Sequence, residues 1–241
     1  MVNDDKGLLD DAVVDVFRVL AKVVDPPHGV TFNALGEGLR AYPLGLMVYT
    51  CFACGVAKNR SALLQRVLEV PIRSRRTRAV TPITDFVPHW YGARGLFNSF
   101  FEQNMCEPIA ERVRQVLRDR VGELLPSLTE PELFFPGEFV LAMVPIDLAI
   151  QEGFPEDQRI PLPGLYLYSH EASEVMLDFI TDRSDWLEGF YRSPAKEVLT
   201  GFQMNASRAV APQCWSRSLL GFKPIEAYED AVARRVKTKR P

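Results

Sequence analysis

Apolar residues recur at three- and four-residue intervals over residues 8–24, where Leu8, Leu9, Val13, Val16, Phe17, Leu20 and Val24 mark an amphipathic helix stopped by Asp25-Pro26-Pro27. The same period runs through 108–125, with Ile109, Val113, Val116, Leu117, Val121 and Leu124 on one face and Arg112, Arg114, Arg118 and Arg120 largely elsewhere. It returns at 61–68, 170–181, 186–191, 195–204 and 225–236. Each of these segments is expected to be a helix.

Other stretches read differently. Between 30 and 46 the pattern is mixed and punctuated by Gly36, Gly38, Pro43 and Gly45, which argues against one regular element. The apolar run 46–52 fits either a strand or the start of a buried helix, because periodicity alone does not separate them. Residues 67–72 and 79–84 favour β structure and flank Arg73-Ser74-Arg75-Arg76-Thr77-Arg78, which predicts a hairpin with a basic tip whose prolines place it at an edge. The apolar block 133–150 is expected to be broken at Pro136-Gly137 and at Pro145, and the Pro- and Gly-rich stretch 153–164 to be a surface loop. The expected class is mostly α with one small β-hairpin.

Composition narrows the picture little. Apolar residues make up 47% and charged residues 24%, as in ordinary globular chains. No segment carries the roughly 18 uninterrupted apolar residues of a membrane span. The acidic start at residues 1–6 lacks the basic and apolar regions of a signal peptide, and four scattered cysteines make no disulfide framework. A cytoplasmic protein is expected.

Charge changes the picture more. The formal balance of -3 hides eight cations against two anions in residues 58–94. Residues 102–190 hold six arginines and eighteen carboxylates, and the last twelve positions carry five cations against one anion. Net charge therefore does not exclude a polyanionic partner.

Candidate chemistry is sparse. The chain has no glycine-rich phosphate loop, no G-x-S-x-G and no H-E-x-x-H, and His28, His89 and His170 lie at no ligand spacing, so no catalytic residue, metal or cofactor is expected. Cys51-Phe52-Ala53-Cys54 fits a thiol-disulfide oxidoreductase if the pair sits at a helix N-terminus, where the dipole lowers a thiol pKa. It equally fits two buried free thiols. Tyr42-Pro43-Leu44-Gly45-Leu46 matches short membrane-budding peptides and fits an apolar loop as well.

The basic segment is richer. Lys58, Arg60, Arg73, Arg75, Arg76, Arg78 and Arg94 offer phosphate-neutralising charge, and Trp90 and Tyr91 offer faces on which bases stack. Tyr191, Arg192 and Lys196 are further candidates for an opposing wall. The competing reading is a solvated hairpin tip whose arginines protect an edge strand.

The order of these segments resembles the nucleoproteins of orthobunyavirus-like segmented negative-strand RNA viruses. The resemblance rests on Asp25-Pro26, on the apolar run 46–52 leading to Gly55, Lys58, Arg60 and Ser61, on Glu69-Val70-Pro71-Ile72, and on Thr84-Asp85-Phe86, Pro88 and Gly92-Ala93-Arg94. Glu107-Pro108-Ile109-Ala110-Glu111 and Phe134-Phe135-Pro136-Gly137 complete a collinear set across 25–150. It implies a non-enzymatic nucleocapsid protein, with single-stranded RNA held in a basic groove between two helical lobes, found in host cytoplasm and virion. The implied divisions are an N-terminal arm at 1–25, lobes at 26–126 and 127–224, and a C-terminal arm at 225–241. The arms would join copies into a homo-oligomer, and the carboxylates of 102–190 would mostly face solvent.

Overall fold

A computed structural model describes residues 4–24, 34–73, 80–83, 109–122, 130–153, 170–209 and 222–238. Helices α1 (Asp4–Val24), α2 (Ala34–Ala57) and α3 (Ser61–Leu68) precede strands β1 (Pro71–Arg73) and β2 (Val80–Pro82). Helices α4 (Ile109–Val121), α5 (Pro131–Gln151), α6 (His170–Asp182), α7 (Ser184–Phe190), α8 (Ala195–Ala209) and α9 (Pro224–Thr238) follow. The protein is mostly helical.

Two of these helices correct the sequence reading. Residues 34–57 form one helix through Pro43, and 131–151 form one helix through Pro136 and Pro145. A proline costs an interior helical hydrogen bond, but burial outweighs that cost here: every residue of α5 from Phe134 to Asp147 is buried. α5 opens with Pro131 in its first turn, where the missing N–H has no partner to lose.

An all-round apolar helix suits only a core or a membrane. Segments Leu39–Ala57 and Pro131–Gln151 are long and apolar enough to cross one, yet α2, α6 and α8 cover α5, leaving it at the centre of the core. α2 and α5 cross closely at Ala53 and Gly137, a Cβ on Gly137 falling 2.5 Å from Ala53 Cα and N. Tyr49 stacks parallel to Phe134, and Phe139, Phe202 and Phe222 meet edge to face, so aromatic rings tie α5 to α2, to α8 and to the start of α9.

One hydrophobic cluster contains Phe17, Phe52 and Leu64 together with Phe139, Met176 and Phe202. The division expected at 126 therefore falls between helices that share a core. The terminal helices also lie on this body: α1 buries Val14, Phe17, Ala21 and Val24, and α9 buries Tyr228 and Ala231. On α9, Tyr228 hydrogen-bonds Glu188 and Arg235 pairs with Asp185.

β1 and β2 pair antiparallel, Ile72 opposite Thr81, as the two strands of the predicted hairpin. Ile72 is buried between exposed Pro71 and Arg73. The hairpin tip, residues 74–79, lies outside the described residues.

Buried Asp147 on α5 fixes the turn before α8. Its carboxylate accepts the backbone N–H groups of Arg192 at 3.2 Å and Ser193 at 2.8 Å. Removing it leaves both donors unmatched, that of Ser193 in a buried site. Asp147→Ala is expected to lower stability by about 2 kcal/mol in chemical unfolding; a loss within experimental error would show that the turn holds without it.

Candidate nucleic-acid interface

α3 organises the basic residues that the structure describes. Its apolar face, Leu63, Leu64 and Val67, is buried, which leaves Gln65 and Arg66 outward. The preceding turn closes α2, with Lys58 N–H on Cys54 O at 2.9 Å and Arg60 N–H on Gly55 O at 2.8 Å. Asn59 takes φ +55°, a left-handed conformation that asparagine tolerates. Gly55 permits the tight approach, since a Cβ there would meet Leu64 Cδ2 at 2.6 Å.

Around this helix, cations from distant segments meet. Arg60 pairs with Asp10 and Arg66 with Asp11, which clamps α3 to α1. Arg183 donates to the Asn59 side-chain oxygen, Arg192 reaches Glu69 at 3.1 Å, and Gln65 donates to Phe190 O at 3.1 Å. Arg183 escaped sequence reading, because only the fold brings it to a turn 124 positions away.

All the predicted residues but Tyr191 fall into three groups. Lys58 is exposed on the turn, Arg60 is half-buried in its ion pair, and Arg73 is exposed at the end of β1. Arg192 is exposed beside Glu69, and exposed Lys196 pairs with Glu229 at 2.6 Å. Arg75, Arg76, Arg78, Trp90, Tyr91 and Arg94 lie outside the described residues.

Tyr191, a candidate for the opposing wall, is buried instead. It is only 6% exposed, donates its hydroxyl to Val140 O at 3.2 Å and meets Phe190 edge to face. Burial, with the nearby Asp147 charge, pushes its pKa well above the ordinary tyrosine value. It anchors the turn that presents Arg192.

Most of the described carboxylates of 102–190 are exposed, as expected. Glu132, Asp178 and Asp182 are exposed and rim a cleft of about 250 Å³ floored by Val56, Pro136 and Phe179. Glu138 and Asp147 are instead buried. Apart from Arg183, the cleft's charged rim is acidic and repels phosphate.

The cysteine pair also departs from its expected setting. Cys51 and Cys54 sit well inside α2, far from its N-terminus, because the segment before them is helical. Cys51 is buried, and desolvation together with Cys54 and Asp10 pushes its pKa up to about 12. Cys54 is exposed on the surface and still raised, by partial desolvation that Lys58 opposes. These shifts run opposite to thiolate activation. Iodoacetamide at neutral pH is expected to label Cys51 only on unfolding, and rapid labelling in the folded chain would contradict this placement.

Tyr42-Pro43-Leu44-Gly45-Leu46 is part of α2 with Leu44 wholly buried, so it is not an extended peptide. Among the described residues no three His, Cys, Asp or Glu side chains gather as metal ligands. Comparison with protein-family models, curated proteins and solved structures finds no match to this chain.

Proposed function

We propose that this chain is a non-enzymatic, single-stranded RNA-binding protein that self-associates along its ligand, as a nucleocapsid protein does. The observation that carries the reading is the concentration of cations in 58–94 beside Trp90 and Tyr91. The meeting of Arg183 and Arg192 with the α3 segment supports it, since it extends the basic surface with residues from the C-terminal half. Exposed arginines and lysines neutralise phosphates, and aromatic faces hold bases at about 1–3 kcal/mol each without a sequence code.

In this reading the ligand follows Lys58, Arg73 and the hairpin tip, with Arg192 and Lys196 on the far side. The ion pairs of Arg60 with Asp10 and of Arg66 with Asp11 hold the α3 platform in place. The acidic cleft rim of Glu132, Asp178 and Asp182 keeps the ligand to the α3 side. The two-lobed, groove-forming arrangement of such nucleoproteins, cytoplasmic and virion location, and joining of copies through the terminal helices belong to the same proposal.

The purified protein tests this directly through its absorbance ratio at 260 and 280 nm and its mass on size exclusion. Copurifying nucleic acid in an assembly larger than a monomer is expected. A nucleic-acid-free monomer that also takes up no added RNA would overturn the reading.

A further inference from the structure

The outward face of α1 carries large apolar side chains. Leu8, Leu9, Val16, Val19 and Val23 are 72, 62, 45, 60 and 45% exposed, although the opposite face of the same helix is in the core. Leu9, Val16 and Val23 recur every seven residues, with Ala12 and Val19 between them, and together they form the narrow a and d seam of a two-helix coiled coil. The helix has 21 residues and is thus about 30 Å long. Scattered apolar residues on a surface need no partner, but a continuous stripe marks an interface.

The charges along the stripe select the partner. Asp11 and Asp15 precede Val16, and Arg18 and Lys22 follow it. Asp15 and Lys22, both exposed and seven residues apart, border the seam on the same edge. A second copy of the helix laid antiparallel sets each acidic half against the other copy's basic half, whereas a parallel copy stacks like charges. An anionic membrane surface fits poorly, because Asp11 and Asp15 lie beside the apolar residues that would have to insert.

We propose that α1 pairs antiparallel with α1 of a second copy of this chain across Ala12, Val16, Val19 and Val23, with Leu9 at the edge of the contact. Asp15 of each copy then lies beside Lys22 of the other. The Asp15–Arg18 pair, at 2.8 Å and mostly exposed, leaves the second carboxylate oxygen for that lysine. The small side chains of Ala12 and the valines let the helices approach closely. Such a two-fold contact is self-complementary and closes at two copies. It rests on the joining of copies through the terminal helices proposed above, to which it gives a definite partner surface and orientation; it requires no RNA, so its failure is distinguishable from a failure of RNA binding.

The test uses full-length, nuclease-treated protein free of 260 nm absorbance, its mass followed by sedimentation from about 1 to about 100 µM. The mass is expected to rise from 27.2 kDa toward twice that value. Val16→Glu and Val19→Glu should each weaken the dimer at least tenfold while leaving helical circular dichroism and RNA affinity unchanged. Asp15→Lys should weaken it, and adding Lys22→Asp in the same chain should restore it. Ala12→Cys protein mixed with Val23→Cys protein should cross-link, and neither should do so alone beyond the unsubstituted chain's background. A monomer at every concentration, a dimer indifferent to both glutamates, or Ala12→Cys cross-linking to itself would overturn the proposal. RNA binding on the same samples reports separately on the other reading.

Discussion

Gly137→Ala is expected to lower the stability of the protein by about 3 kcal/mol, because it forces apart the two helices around which the core is built. A Cβ at this position falls 2.5 Å from Ala53 Cα and N and 2.7 Å from the Phe52 carbonyl carbon. The obstacle is backbone, so no rotamer change relieves it. α2 has to move away from α5, which pulls apart the stacked rings of Tyr49 and Phe134 that join the two helices. Greater helix propensity returns about 1 kcal/mol at most, which does not offset the clash.

Gly7→Ala is the matching control. It lies on the same kind of element, with nothing within 4 Å of the added carbon, and should gain about 0.5 kcal/mol. Urea unfolding of both variants measures the difference. A loss below about 1 kcal/mol for Gly137→Ala would mean that the crossing is looser than described.

Joint replacement of Arg73, Arg75, Arg76 and Arg78 by alanine is expected to reduce affinity for single-stranded RNA about 100-fold at moderate salt. Each phosphate neutralised contributes about -0.7 to the slope of log K against log salt for a single strand, so losing four flattens the slope by about 3. Purely structural arginines, protecting an edge strand, would leave both affinity and slope unchanged. Fluorescence anisotropy with labelled oligouridine reads both. The same measurement on Lys196→Ala, which removes one cation of the far side, should flatten the slope by only about 0.7.

The sequence displays some elements clearly and conceals others, for physical reasons. α1, α4, α6 and α9 each have a wet face and a dry face, so their period is visible. α2 and α5 lack that contrast because they are apolar almost throughout, and their glycines and prolines imitate breaks. Gly137 is there for the close crossing, a role that becomes visible only when Ala53 is set opposite it.

The candidate interface is legible to a similar degree. Lys58, Arg60 and Arg73 announce themselves as part of a charged run. Tyr191 misleads because it neighbours exposed Arg192, while its own hydroxyl is held by Val140 on a helix 51 positions earlier. Residues 46–52 have the apolar character of a strand but lie inside a helix that starts at Ala34, which puts Cys51 and Cys54 far from its N-terminus. Arg183 has no local signal at all, since its partner Asn59 comes from the other half of the chain.

The proposed binding of single-stranded RNA through the basic segment fixes how affinity responds to salt. The most direct measurement is a salt titration of nuclease-treated, full-length protein against a labelled single-stranded RNA. With about six phosphates neutralised, log K should fall with log salt at a slope near -4. No binding at low salt, or a slope near zero, would contradict it.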